Sequence, residues 1–560
     1  MDEFDVVVLG TGAAGLTAAI RASAEGATVG LFEKLDQIGG TAAWSGGMIW
    51  IPGNPHMAAV NAADSREDAL TYLASLSNGM IDSRAAETFV DRGPEVVRWL
   101  EANTPLKFFV IAGFPDYHPE NPGAKSRGGR TMECPLFAFS ELGEWSGRVT
   151  KGPQLSGALT ITETPLGRGA PEGISAEELA RRRVSDERGT GQALVGRLVK
   201  GCLDRGIEPR TRMRATRLLT EGTRVVGVRF ESPDGPVDVR ARRGVVIATG
   251  GFEWDTGLVR SFLRGPLARP ASPPHGNTGD GLRMAMRVGA ALGNMREAWW
   301  APTIDVPMPD GSIAFWLING ERTRPRCIMV NDRGQRFTNE AVNYNAFGAA
   351  FHVIDTTTFE YVNHPAWMIF DDGYWRKYGL AGARADQPVP SWITTADSLS
   401  QLAKQIDVPA GALEKTVRRW NENTAREQDP DFGRGTSAID KWWGDPQFGE
   451  GPAATLGPLD VAPFYAVRVY SGCLGTKGGP KTDDQARVLD IDGVPIEGLY
   501  AAGNAMAASA MGMAYGGAGG TLGPAIVWGF LAGQYAASHT PSLQTDGGNS
   551  FSAALAQGPV

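Results

Sequence analysis

Phe4 to Leu9 is an apolar, β-rich run, with Val6, Val7, Val8 and Leu9 consecutive, that stops at Gly10-Thr-Gly-Ala-Ala-Gly15. Leu16 to Glu25 then spaces its apolar positions for a helix, and Ala27 to Phe32 is again strand-like and ends at Glu33. A strand, a glycine turn, a helix and a second strand predict a parallel β-α-β unit. A loop-rich stretch to about Met57 follows, then helical patterns at Asp68 to Leu76 and Glu95 to Glu101, a Pro/Gly-rich stretch from Pro115 to Gly129, and a helix at Gly191 to Arg205. Three β-rich segments, Ala215 to Leu219, Arg224 to Phe230 and Val237 to Arg240, predict a meander ahead of a buried strand at Gly244 to Ala248.

After Pro270 the pattern changes: Trp and Met become frequent and glycine clusters vanish until Gly472. Helices are expected near Gly281 to Leu292 and Leu413 to Arg426, and strands near Cys327 to Asn331 and Trp367 to Phe370. From about Pro463 the α/β pattern returns, with a strand at Leu499 to Ala501 and a last helix from about Thr521. These shifts predict an α/β nucleotide-binding domain in two segments, 1–274 and 452–537, around an inserted α+β domain, 275–451. A flexible tail, 538–560, rich in Ser, Gly, Gln and Pro, is expected to follow.

The chain has 560 residues and a net charge of −8, with no basic block of the kind a polyphosphate chain would require, so nucleic acid is not an expected partner. The longest apolar stretch, Pro524 to Ala537, is interrupted by Gly529 and Gly533 and falls short of the roughly 20 residues of a membrane span. Met1 to Asp5 is acidic and runs straight into Val6, unlike a secretory signal, which makes the cytoplasm the expected location. Cys134, Cys202, Cys327 and Cys473 stand far apart without a CxxC pair, so neither a disulfide framework nor a zinc site is expected, and no metal is assigned.

Glycine is the anomaly, with 73 residues among 560, nearly twice the usual share of roughly 7%. Gly10, Gly12 and Gly15 suit a tight turn, close approach of a pyrophosphate to the backbone and close helix-strand packing. The helix N-terminus beyond them adds partial positive charge. Glu33, 18 residues after Gly15, is placed to accept hydrogen bonds from a ribose hydroxyl. Further clusters recur at Gly39-Gly-Thr41, Ser45-Gly-Gly47, Ile247-Ala-Thr-Gly-Gly251 and Leu499-Tyr-Ala-Ala-Gly-Asn504. A ligand touching loops this far apart in the chain is long, and FAD fits better than NAD. The fold class is therefore α/β: a Rossmann-like FAD-binding domain with an inserted α+β substrate/catalytic domain.

These motifs, with Glu33 and Ala501-Ala-Gly-Asn504, resemble the fumarate reductase/succinate dehydrogenase flavoprotein superfamily. Within it, longer segments resemble the 3-oxosteroid 1-dehydrogenases: Trp50-Ile-Pro-Gly-Asn54, Asp116-Tyr-His-Pro-Glu-Asn-Pro-Gly123, Asn277-Thr-Gly-Asp-Gly281, Ala298-Trp-Trp-Ala-Pro-Thr303, Arg336-Phe-Thr-Asn-Glu340, Leu474-Gly-Thr-Lys-Gly-Gly479 and Gly519-Gly-Thr-Leu-Gly-Pro524. The similarity covers nearly the whole chain and is weakest from Phe137 to Arg188. It implies non-covalent FAD held by Gly10, Gly12, Ala13, Ala14, Gly15, Glu33, Lys34, Gly40, Thr41, Ser45, Gly46, Gly47, Thr249, Gly250, Asn277, Asp280, Gly503, Asn504, Gly520 and Leu522.

Fumarate reductases carry a catalytic arginine where this chain reads Asn339-Glu-Ala-Val-Asn-Tyr344, and a substrate-gripping arginine where it has Tyr515. A dicarboxylate without those cations would be a buried unpaired charge, which argues against fumarate chemistry. The resemblance instead implies that Tyr344 removes the proton α to a ketone with Tyr117 assisting. Tyr515 and the backbone N–H of Gly519 would hold the carbonyl oxygen, and a β-hydride would pass to the flavin N5. A phenol of ordinary pKa about 10 is a poor base, so neighbours of Tyr344 are expected to favour its phenolate.

The implied reaction is 1,2-desaturation of a 3-oxosteroid, with an external electron acceptor. The alternatives are desaturation of a smaller, cyclohexanone-like ketone and, in another class, a non-catalytic flavoprotein electron carrier. Departures from the family pattern, Asn343 in place of proline and Gly516-Gly-Ala518 after Tyr515, bear on pocket shape. His118 reads as structural, Trp299 and Trp300 as either pocket lining or core, and Lys477 as either cofactor-proximal or solvated.

Overall fold

The computed structural model describes residues 2–155, 157–170 and 173–539. The β-α-β unit is present as the strand Asp2–Leu9, the helix Ala13–Ala24 and the strand Val29–Phe32. Asp2–Leu9 runs parallel to Val29–Phe32 on one side and to Gly235–Ile247 on the other, and Pro495–Ala501 adds a further parallel strand. Val6, Val7 and Val8 are fully buried because this sheet is covered on both faces.

Gly235–Ile247 is one strand where the hydrophobic pattern suggested two. Its first half pairs antiparallel with Arg224–Ser232 in the meander and its second half joins the parallel sheet. Arg242 and Arg243 break the apolar pattern without breaking the strand, because both reach the carboxylate of Asp5.

The last helix, Leu522–Ser538, packs on Ala13–Ala24. A Cβ on Gly529 would stand 2.4 Å from the Ala14 carbonyl oxygen and one on Gly533 2.3 Å from that of Ala18. The glycines that interrupt the apolar stretch thus let two helix backbones touch. Among the described residues no helix is long and apolar enough to cross a membrane. The expected tail lies, beyond Ser538 at the helix end and His539, outside the described residues.

A second sheet of six strands is ordered Ile313–Leu317, Ala298–Pro307, Phe464–Thr476, Ala366–Asp371, Cys327–Val330, with Thr394–Ala396 also on Phe464–Thr476. Its middle strand comes from beyond residue 451, where the return to the first domain was expected. Pairing with Ala298–Pro307 and Ala366–Asp371 assigns Phe464–Thr476 to this sheet, a partnership that alternation along the strand does not encode. The helix expected to reach Leu292 spans Asp280–Arg287; Gly289, at φ +84°, ends the helical path, and Leu292–Gly293 pairs with Gly479–Pro480.

Candidate active site

An elongated cavity of about 1430 Å³, its open mouth included, runs from Glu33 and Lys34 past the N-terminus of the Ala13–Ala24 helix to Tyr344, Tyr515 and Gly519. Among the described residues no side chain caps that helix, and Gly12, Ala13 and Ala14 at its start line the cavity. A Cβ on Gly10 would overlap the Ala248 carbonyl at 2.4 Å and one on Gly15 the Gly10 carbonyl at 1.9 Å, which fixes the turn. At Gly12 and Gly40 a Cβ would meet nothing within 4 Å. Thr249 lines the cavity, and among the described residues its buried Oγ1 has no hydrogen-bond partner. Open glycine backbone, a helix N-terminus without a side-chain cap and an orphaned hydroxyl fit a long dinucleotide.

The carboxylate of Glu33 accepts from Thr11 N at 3.1 Å, Thr11 Oγ1 at 2.7 Å and Leu35 N at 3.1 Å, so the acid is oriented at the cavity end. Lys34 donates to Thr278 Oγ1 at 2.6 Å and Asp280 Oδ2 at 3.0 Å, and Asp280 also takes Arg214. Asn277 donates to Thr41 Oγ1 at 2.9 Å and to the buried Glu253 at 2.6 Å, joining two of the glycine loops. Of the residues implied for FAD, Gly15 and Gly520 stand behind the wall and the other eighteen line the cavity.

At the far end three tyrosine rings pack on one another, with centroids 5.4 Å apart for Tyr117–Tyr344, 5.2 Å for Tyr117–Tyr515 and 5.4 Å for Tyr344–Tyr515. Tyr344 opens the helix Tyr344–Ala349, which Asn343 caps through Ala346 N. Tyr117 packs behind the cavity wall, its N–H donating to Gly516 O at 3.0 Å. The preceding Asp116 is held by Arg130 at 2.8 Å, Trp50 Nε1 at 2.8 Å and Lys125 N at 2.8 Å. Trp443 closes the group, 5.3 Å from Tyr117 and 6.2 Å from Tyr344.

Burial pushes all three phenols up, Tyr117 and Tyr344 well above the ordinary value. After burial, the neighbouring Tyr117 and Tyr515 raise Tyr344 further, while Tyr344 lowers both of them. The neighbouring tyrosines therefore hold Tyr344 as a phenol, against the expectation that they favour its phenolate. Arg322 is the buried cation that opposes this: it lowers Tyr117, and burial has pushed Arg322 itself down to about 9. Its guanidinium donates to Ile318 O at 3.1 Å and Val342 O at 2.7 Å, two residues before Tyr344.

Described residues of the segment from Phe137 to Arg188 stand beside the cavity at Gly46 and beside the second sheet. Gln154 exchanges two hydrogen bonds with the Leu317 backbone, at 2.9 and 3.1 Å, and Trp442 Nε1 donates to Leu166 O at 3.0 Å. Ile161 and Leu155 approach Gly46, at 3.4 and 3.7 Å from where its Cβ would stand. Glu133, fully buried, anchors this segment by accepting from Ile161 N at 2.6 Å and Thr162 N at 2.8 Å.

The FAD binding domain family matches residues 5–522. The chain is 40% identical over 559 residues to the 4-oxocyclohexanecarboxylate 2-dehydrogenase of Sinomonas cyclohexanicum, covering 98% of this chain and 96% of that one. It is 36% identical over 564 residues to the 3-oxosteroid 1-dehydrogenase of Mycobacterium tuberculosis (strain ATCC 25618 / H37Rv), covering 95% and 98%. The chain belongs to the 3-oxosteroid 1-dehydrogenase family. Members of this family are FAD-dependent oxidoreductases acting on CH–CH groups, and this chain is one of them. A solved 3-ketosteroid Δ1-dehydrogenase from Sterolibacterium denitrificans, in complex with 1,4-androstadiene-3,17-dione, matches with a TM-score of 0.89 at 36% identity, over 96% of this chain and 100% of that one.

Sequence reasoning left several residues of this family member's site without a role. Thr521 donates to the Tyr515 hydroxyl at 2.9 Å, and its place inside Gly519-Gly-Thr521 was the available signal. Asn343 stood out only as a departure from proline. His118 is half-buried beside Asn343, at 3.3 Å, and burial lowers its pKa. Trp299 packs on Tyr515 with centroids 4.9 Å apart, whereas Trp300 is core, against His352.

Proposed function

We propose that this enzyme introduces a carbon-carbon double bond beside the carbonyl of a ring ketone. The observation that carries this reading is the convergence of Tyr344, Tyr515 and Gly519 at the end of the cavity, with Tyr117 packed behind them. Bound FAD supplies the acceptor for a hydride from the β carbon. Tyr515, with its hydroxyl held by Thr521, and the Gly519 N–H donate to the ketone oxygen, and preorganised donors of this kind stabilise the charge it gains as the α-proton leaves. Tyr344 takes that proton as its phenolate, having first released its own phenolic proton to solvent. Tyr117, packed against it with ring centroids 5.4 Å apart, is placed to share the charge, and the buried cation of Arg322 favours the negative form of Tyr117. Trp443, packed on Tyr117 and Tyr344, keeps water from that side of them, which strengthens each of these interactions.

The substrate proposed first is a 3-oxosteroid desaturated at the 1,2 bond, supported by end-to-end similarity to the steroid-bound structure. A second reading is a compact ring ketone carrying a carboxylate. It is favoured by the 40% identity to the 4-oxocyclohexanecarboxylate 2-dehydrogenase and by Leu155 and Ile161 standing close over Gly46. Anaerobic mixing of the holoenzyme with androstenedione, 4-oxocyclohexanecarboxylate and cyclohexanone, followed by flavin absorbance, separates them. Bleaching by the steroid alone supports the first reading, and bleaching by small ketones alone supports the second. A flavin that stays oxidised with every ring ketone overturns the proposal.

A further inference from the structure

Lys477 sits in the Leu474-Gly-Thr-Lys-Gly-Gly479 loop and is 0% exposed. Among the described residues it has no salt-bridge partner; Glu297, the carboxylate that acts on it, is bound at 2.7 Å to Arg264. Its ammonium donates to Met513 O at 2.8 Å and Ala514 O at 2.7 Å, the two carbonyls just ahead of Tyr515. The same nitrogen lies 4.1 Å from the ring centre of Trp299. Trp299 packs edge to face on Tyr515, 4.9 Å between centroids, and donates through Nε1 to Asn504 Oδ1 at 3.0 Å. The Lys477 backbone is fixed as well, donating to Glu297 O and accepting from Ala508 N, both at 2.9 Å.

An ammonium has three donors, and two are spent here on consecutive carbonyls while the charge faces an indole. Burying that charge without a carboxylate is costly, and a methionine would fill the space without the cost. A use for the charge accounts for its retention. We propose that Lys477 is a positioning residue for Tyr515: its ammonium clamps the Met513–Ala514 turn and Trp299, and through them holds the Tyr515 hydroxyl where negative charge develops. This rests on the role proposed for Tyr515 above.

Burial pushes the ammonium down to about 7; Glu297, from the turn ahead of Ala298–Pro307, raises it, and Arg264, after the helix Thr256–Phe262, lowers it. The lowered lysine keeps its proton below that pH and loses it above, so the clamp loosens as pH rises. Anion binding beside Tyr515 then weakens from pH 6 to pH 8.5, and an arginine, charged throughout, removes that dependence.

The test is binding of pentafluorophenolate, an anion throughout this range that mimics an enolate, to the oxidised holoenzyme, read from its ¹⁹F resonances. Lys477→Met weakens binding about tenfold in the otherwise native protein and less than about twofold in a Tyr515→Phe background. Lys477→Arg keeps native affinity at pH 6 and holds it at pH 8.5. Equal losses in both backgrounds, or native affinity in Lys477→Met, overturn the proposal, as does a native enzyme that binds no phenolate. If Lys477→Met does not fold, native affinity that is flat with pH, or that Lys477→Arg merely follows, overturns it. Phenolate binding that depends on both residues, in an enzyme no ring ketone reduces, retains the proposal and removes the functional reading instead.

Discussion

The side-chain amide of Asn343 donates to the backbone carbonyl of Tyr117 at 3.1 Å, while its oxygen accepts Ala346 N at 3.0 Å and caps the helix that Tyr344 begins. One buried side chain therefore sets two tyrosines relative to each other. Asn343→Ala removes a cap and leaves a buried carbonyl unpaired, a loss of about 2 kcal/mol. Flavin reduction by the substrate slows about tenfold or more, because a misplaced assisting group costs rate beyond stability. Asn343→Asp keeps the cap acceptor, loses the donor to Tyr117, and falls between. Denaturant melts and rapid-mixing kinetics check both; an Asn343→Ala enzyme of native rate contradicts the coupling.

Gly12 and Gly15 separate cofactor binding from folding. A Cβ on Gly12 meets no protein atom within 4 Å, whereas one on Gly15 stands 1.9 Å from the Gly10 carbonyl. Gly12→Ala should melt like the native apoprotein and bind FAD at least about tenfold more weakly, while Gly15→Ala should lose stability in the apoprotein itself. Apoprotein melting and FAD titration distinguish the two.

Burial lowers His352 and His364 from the ordinary 6.5 to about 4, with Arg264 and the neighbouring histidine adding to it for His352, and Arg468 and Arg269 for His364. A histidine kept neutral in the fold lets the unfolded chain bind protons first. Stability is full above pH 6.5 and falls as pH drops toward 4, by about 1.4 kcal/mol per pH unit per histidine at most. His352→Leu should melt with a shallower acid slope than the native protein between these limits. An unchanged slope would remove His352 from the account.

The first β-α-β unit and the cofactor loops were legible because short continuous apolar runs and glycine turns are local signals, and Gly10 through Glu33 form one continuous segment. Partnership between distant strands was not. Phe464–Thr476 reads as a β-rich run whichever sheet receives it, and Gly235–Ile247 looks interrupted because Arg242 and Arg243 find Asp5 only in three dimensions. At the site, Tyr344 and Tyr515 came from motif resemblance. The contacts of Asn343, Thr521 and Lys477 join residues far apart in the chain or atoms of the backbone, and neither leaves a mark in residue type.

The phenol of Tyr344 carries the central claim. Burial holds its pKa well above the usual value, so the phenolate that removes the proton is scarce but strongly basic, and the grip of Tyr515 and Gly519 on the ketone oxygen makes the α-proton acidic enough to leave. The decisive measurement is anaerobic rapid mixing of native and Tyr344→Phe holoenzyme with the ring ketone that bleaches the native flavin, unlabelled and deuterated at the α carbon. The native enzyme should reduce its flavin with a primary isotope effect, and Tyr344→Phe should retain FAD while slowing about 10²- to 10⁴-fold. A Tyr344→Phe enzyme that bleaches at the native rate would contradict the account.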